Sequence, residues 1–211
     1  MENRQNLYII GAGGFGREIE SWLSLVPKSE QNWNIIGFLD DNLNALDNYP
    51  SDYKIINKIL NHNFQDNDIA ILTISNTKIK ESIYNNLKDK VKFMTFISPS
   101  AIVAKFTKIS EGCIICPNSI IATNTSLGKF TTVNNGTHIG HDSIIGDFCS
   151  FMANVDIGGN CKIENHCFIG SNATIIPKRK INSNITIGSG SIVIRNIKSG
   201  TVFGNPAKKI K

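Results

Sequence analysis

From residue 103 to residue 193 every sixth side chain is large and apolar, an unbroken run of sixteen that begins Val103, Ile109, Ile115 and ends Ile181, Ile187, Val193. That period is neither the 3.6 of a helix nor the 2 of a simple strand. Four places after most of these residues stands a small one, as at Thr107, Cys113, Ser119, Thr125, Cys149, Cys161 and Cys167. Three places after stand Asn118, Asn124, Asn154, Asn160, Asn172 and Asn184, or Gly112, Gly136 and Gly190, residue types that tolerate a left-handed backbone. One hexad is therefore a short strand plus a corner. Three hexads close one triangular coil, and the run predicts about five coils of a parallel β-helix over residues 97–211.

Residues 1–96 follow another pattern. Apolar runs at 7–10, 35–39, 69–74 and 91–96 read as strands, and residues 17–26 and 77–87 carry helical spacing. This alternation predicts a small Rossmann-like α/β domain with a mainly parallel sheet, about half the size of a full dinucleotide-binding domain.

The composition excludes several classes. With 41% hydrophobic and 18% charged residues the chain is expected to be globular, and no apolar stretch is long enough to cross a membrane. No signal peptide is read at the N-terminus, so a cytoplasmic protein is expected. The net charge of +5 suits anionic small molecules, and no basic stripe with interleaved aromatics points to nucleic acid. Five cysteines argue against a disulfide framework, and most fall in the small interior slot. Cys113 and Cys116 have CxxC spacing, but without a second pair no metal site is expected.

Two features carry chemistry. The first is Gly11-Ala12-Gly13-Gly14-Phe15-Gly16, placed between a strand and a helix where backbone N–H groups can approach a phosphate. Asp40 and Asp41 end the next strand at a distance suited to ribose or base contacts. The domain is too short for both halves of a nicotinamide dinucleotide, so a single nucleotide is expected. The second feature is His141-Asp142 within the hexads. His141 takes a corner slot, so its imidazole should project outward, and Asp142 can raise its basicity. A solvated surface histidine beside a corner-filling aspartate is the plainer reading of the same two residues. His138 and His166 read as structural or solvated, and His62 lies in a polar loop that carries little signal. Lys178, Arg179 and Lys180 break the hexad pattern and read as a bulge, a phosphate contact or a solvated charge cluster.

The GAGGFGRE opening, the FLDD strand end, the hexads carrying NNGTHIGHDSIIGDF and the GNPAKK ending together resemble the bacterial sugar-nucleotide acetyltransferases of the sialic acid O-acetyltransferase-like, hexapeptide-repeat group. The resemblance spans nearly the whole chain. It implies a left-handed β-helix, a homotrimer, and transfer of an acetyl group from acetyl-CoA to the 4-amino group of a nucleotide-linked 4-amino-4,6-dideoxy sugar used in cell-surface polysaccharide such as O-antigen. A sugar O-acetyltransferase, or a nucleotide-sensing scaffold without activity, are the alternatives. It further implies His141 as general base, Asp142 as its partner and Asn134 as an active-site residue. Gly11, Gly13, Gly14, Phe15, Asp40, Asp41 and Ser75 match positions that hold the nucleotide sugar, dTDP- or UDP-linked in preference to GDP-linked. Ser171 and Ser189 fall where backbone meets acetyl-CoA. Ser150 stands where some members carry a histidine that contacts the acetyl group, and Phe15 where some carry another histidine.

Overall fold

A computed structural model describes residues 4–205 and 208–209. The chain divides into two compact units, residues 4–75 with 79–94, and residues 76–78 with those from 95 onward.

In the first unit, β1 (Gln5–Ile10), β2 (Trp33–Leu39), β3 (Ile55–Asn57), β4 (Asp68–Leu72) and β5 (Lys92–Phe93) form one parallel sheet in the order β3-β2-β1-β4-β5. The central strand β1 and its neighbour β4 are the most deeply buried, as expected for strands covered on both faces. Helices α1 (Gly14–Leu23) and α2 (Thr77–Leu87) connect the strands, and α1 buries Gly16, Ile19 and Leu23 along one stripe. Two differences from the expected elements have physical causes. β3 is three residues long, Ile-Ile-Asn, and lies at the sheet edge, so its apolar run is too short to announce a strand. The apolar run at 91–96 is not one strand: Lys92–Phe93 pairs with β4, whereas Phe96–Ile97 pairs with Ile114–Ile115, in register with the repeats.

The second unit is a left-handed parallel β-helix of two-residue strands on three faces. Face one runs from Ile102–Val103 to Ile192–Val193, face two from Lys108–Ile109 to Lys180–Ile181, and face three from Phe96–Ile97 to Thr186–Ile187, continued by the tail strands Thr201–Phe203 and Lys208–Lys209. Each strand pairs with the strand one coil later, as His138–Ile139 does with Asp156–Ile157. From Ile115 to Val193 the second residue of each pair is buried, and Ile121, Val133, Ile139, Phe151, Ile157 and Ile169 have no exposed surface. Burial of each such side chain contributes about 1.5–3 kcal/mol.

The corners carry the left-handed residues. All the predicted Asn and Gly positions have φ between 57° and 69°, and Phe130, Asp142, Phe148 and His166 share the conformation. Phe130, Phe148 and His166 stack in one column with centroid separations of 5.5 and 5.3 Å, which offsets part of the left-handed cost of about 1–2 kcal/mol per residue.

The small interior slot is a hydrogen-bonding device as well as a volume limit. Its side chain donates to the carbonyl fifteen residues ahead: Ser119 to Asn134 at 3.0 Å, Thr131 to Gly146 at 2.9 Å, Thr137 to Met152 at 2.8 Å and Cys149 to Glu164 at 3.1 Å. Corner carbonyls turned toward the core are satisfied in this way. Ser, Thr and Cys are the small residues with a proton to give, which explains four of the cysteines. All five are buried and none is in a disulfide among the described residues. Lys180–Ile181 pairs regularly with Lys162–Ile163, so residues 178–180 form no bulge; Arg179 turns out of the core and donates to the carbonyls of Pro177 and Ile194, and Lys180 Nζ lies 3.2 Å from Glu164.

Candidate functional site

The strand His138–Ile139 delivers the chain into a corner at Gly140, His141 and Asp142. A Cβ on Gly140 would come within 2.5 Å of the Gly159 nitrogen in the next coil, so this slot must be bare where the coils stack closely. Asp142 is left-handed, with φ 59°, and its N–H donates to the Thr123 carbonyl at 3.0 Å. That backbone turns its carboxylate onto the neighbouring ring. His141 Nδ1 lies 2.6 Å from Asp142 Oδ2, while Asp142 Oδ1 accepts from Asn124 Nδ2 at 3.1 Å. Hydrogen bonds from His141 and then Asn124 hold the Asp142 carboxyl below the usual carboxylate range. An ionised carboxylate accepting a hydrogen bond from Nδ1–H leaves the lone pair of the imidazole on Nε2. His141 projects outward, with 59% of its side chain exposed. The dyad can remove a proton from a bound nucleophile and return it to a leaving group. Asn124 was not among the sequence candidates, although it lies eighteen residues before Asp142, in the same column one coil earlier.

The remaining β-helix candidates lie on a different edge of the prism. Asn134, Ser171 and Ser189 follow face three, whereas His141 and Asp142 follow face one. Asn134 is half-buried and its Oδ1 accepts the Asn135 N–H at 2.7 Å. Ser171 is half-buried and Ser189 exposed, and the Ser171 carbonyl accepts the Gly190 N–H at 2.8 Å. Ser150 stands on face three in the strand Ser150–Phe151 and is fully buried. Within one chain, the dyad and these serines are not brought together. A second histidine–carboxylate pair, His138 Nδ1 to Asp156 Oδ1 at 3.0 Å, sits on face one.

In the first unit the glycine loop joins β1 to α1. Gly11 has φ 103°, a conformation that side chains resist, and a Cβ on Gly16 would overlap the Gly11 carbonyl, so strand and helix pack only because that position is bare. Gly13 stands immediately before α1 with nothing within 4 Å of its Cβ position, and Gly14 is open apart from Arg17, which leaves the helix N-terminus clear for an anion. Asp40, expected to contact ribose or base, shapes the loop itself: Oδ2 accepts the Ala12 N–H at 2.7 Å and Oδ1 the Asn42 N–H at 2.8 Å. Asp41 Oδ1 accepts the Ile59 N–H at 3.2 Å. Thr73, absent from the sequence candidates, places its hydroxyl 2.9 Å from the carbonyls of both Ile10 and Gly11. Phe15 packs edge-on against Trp22, and Ser75 is half-buried just beyond β4. Arg17 lies beside the loop, 3.6 Å from the Tyr49 ring centroid. A cavity of about 730 Å³ lined by Arg17, Glu20, Trp33 and Tyr53 flanks α1 and does not include the loop glycines. Among the described residues no cluster of His, Cys, Asp or Glu could hold a metal ion, and no helix is long and apolar enough to cross a membrane.

Comparison with known proteins agrees with this division. Residues 6–87 match the PglD N-terminal domain, and residues 142–177 match the bacterial transferase hexapeptide repeat. No curated protein matches the sequence. Among solved structures, the acetyltransferase domain of PglB from Neisseria gonorrhoeae FA1090, in complex with acetyl coenzyme A, is 24% identical with a TM-score of 0.88, covering 98% of this chain and 100% of that one. PerB from Caulobacter crescentus, in complex with CoA and GDP-perosamine, is 20% identical with a TM-score of 0.86, covering 96% of each chain. WeeI from Acinetobacter baumannii AYE is 25% identical with a TM-score of 0.83, covering 96% of this chain and 98% of that one.

Proposed function

We propose that this chain, a member of the hexapeptide-repeat acyltransferases that carry a PglD N-terminal domain, transfers the acetyl group of acetyl-CoA to the 4-amino group of a nucleotide-linked 4-amino-4,6-dideoxy sugar. The observation that carries this reading is the exposed dyad, His141 Nδ1 held 2.6 Å from Asp142 with Nε2 left to act. The open glycine loop supplies a place for the diphosphate. The PglB domain binds acetyl coenzyme A and PerB binds CoA and GDP-perosamine, which supports both substrates of the reaction.

The sugar amine attacks the thioester carbonyl carbon while His141 Nε2 takes the amine proton. The tetrahedral oxyanion then collapses, the C–S bond breaks, and the imidazolium returns its proton to the coenzyme A thiolate. No covalent enzyme intermediate is required, because two bound substrates reacting directly gain from their alignment. The reading is completed by a cytoplasmic homotrimer in which the edge bearing Ser171 and Ser189 in one copy faces the dyad edge of the next. Ser150 is assigned no contact with acetyl-CoA in this scheme without repacking, since it has no exposed surface.

Thiol release from acetyl-CoA, followed across dTDP-, UDP- and GDP-linked 4-amino sugars and their 4-hydroxy counterparts, tests the reading. Turnover with amino sugars alone is expected. Turnover with hydroxy sugars alone identifies an O-acetyltransferase, and nucleotide binding without thiol release identifies a scaffold. His141→Asn is expected to lower kcat by about 100- to 10,000-fold with the fold intact. A monomer by light scattering would remove the trimer.

A further inference from the structure

Gly159 lies eighteen residues after His141, in the same corner column one coil later. A Cβ built on it would lie 2.6 Å from His141 Nε2, 2.8 Å from Cε1 and 3.0 Å from Cδ2. Near-equal distances to the nitrogen and both flanking carbons put that point over the ring face. A point along the Nε2 lone pair would be much farther from the carbons than from the nitrogen. The imidazole therefore rests flat over the bare Cα of Gly159, and its lone pair is not directed at that residue.

Nothing in the repeat demands glycine here. The same slot elsewhere holds Glu111, Thr123, Ala153, Asn165, Ser171 and Pro177, and Gly159 is the one glycine among these sixth residues. Its φ is not left-handed, so its backbone suits any residue. The adjacent Gly158 differs: a Cβ there would come within 2.5 Å of the Pro177 nitrogen, a demand of coil stacking. Of two neighbouring glycines, one serves the stack, and the other has atoms of the His141 ring as its three nearest contacts.

We infer that Gly159 is a positioning residue for His141: its missing side chain is the seat that, with the Asp142 hydrogen bond on the opposite edge, fixes the plane of the imidazole. The inference rests on the reading of His141 as the base. A methyl group at residue 159 would need the ring to withdraw by about 1 Å to reach ordinary carbon contact. The withdrawal must come from the ring, because Gly159 is held by backbone on both sides: its carbonyl accepts the Lys178 N–H at 2.9 Å, and the Asn160 N–H donates to the His141 carbonyl at 2.8 Å.

The test is Gly159→Ala in the full chain, with His141→Asn alongside. The unfolding midpoint and circular dichroism of Gly159→Ala should match wild type, while kcat falls by about 100-fold, the cost of misplacing a catalytic group by that distance. In the free enzyme, the His141 ring resonances, followed by NMR, should move. Wild-type kcat in Gly159→Ala, with His141→Asn inactive, overturns the seat and leaves the base standing. A reduced kcat with unmoved His141 resonances also overturns it, because the bare position would then serve the substrate. Full activity in His141→Asn removes the base itself and the seat with it.

Discussion

Asn124 donates its side-chain amide to Asp142 Oδ1 at 3.1 Å from one coil away, so the carboxylate that orients His141 is itself oriented by the preceding turn of the helix. Both hydrogen bonds favour ionised Asp142. The sign follows: a carboxyl whose folded pKa is depressed adds stability above its ordinary value of 3.8, and that stability is lost as pH falls through the lower folded value. Asn124→Ala is expected to raise the Asp142 titration, read by carboxyl-carbon NMR, and to lower kcat by about tenfold. Asp142→Asn, which keeps a residue type suited to the left-handed corner, removes the charge and permits the wrong tautomer. Its kcat should fall further, by up to about 10,000-fold.

The interior ladder makes a separate prediction about stability. Thr137 donates to the Met152 carbonyl at 2.8 Å and accepts the Val155 N–H at 3.2 Å. Thr137→Val preserves shape and strands both backbone groups in the core. Denaturant unfolding should show a loss of about 1–3 kcal/mol, whereas a ladder that merely fills space would show almost none.

Much of this architecture was legible because a period of six leaves a mark at every turn. The apolar rungs, the Asn and Gly corners and the outward placement of His141 all follow from slot arithmetic. What escaped was information stored across coils. Asn124 carries no local signal, since an asparagine is an ordinary corner residue, and Gly159, the one glycine in its slot, gains its meaning from alignment at intervals of eighteen, which reveals both as neighbours of the dyad. The small slot was visible as a size limit, while its donor role depends on a carbonyl fifteen residues away. In the α/β unit, Asp40 was legible as a strand-end acid, but its bond to the Ala12 N–H depends on how two loops meet. Short β3 lacked any apolar run long enough to register.

His62 lies against Tyr8 and Phe64, with ring centroids 4.4 and 4.7 Å away, and its Nε2 has no hydrogen-bond partner among the described residues. Burial lowers its pKa from 6.5, opposed by the charge of Asp68. A base depressed in the fold binds its proton more readily when unfolded. Stability is then complete above pH 6.5 and declines as pH falls toward the folded value. His62→Phe should flatten that acid-side decline in thermal melts between pH 7 and about pH 5.

Asp40 bridges the glycine loop and the turn after β2 through two backbone N–H groups. Asp40→Ala releases both, and each charge-assisted bond contributes about 1.5–3 kcal/mol. Calorimetric titration should show the nucleotide sugar binding about 10- to 100-fold more weakly, with acetyl-CoA affinity unchanged. Equal losses for both ligands would mean that the substitution unfolds more than the loop.

Because the strands of the hexad run pair with partners one full circuit of eighteen residues away, the β-helix counts length in whole circuits. Removing one residue between His141 and Gly159 would rotate every later side chain out of phase, exchanging core for surface along the rest of the spiral. Excising a complete circuit would instead preserve phase and slide a new neighbour beneath the imidazole. Engineers can therefore lengthen or shorten this protein in modular steps, but the two turns flanking the histidine form the one stretch where a same-length exchange is not equivalent.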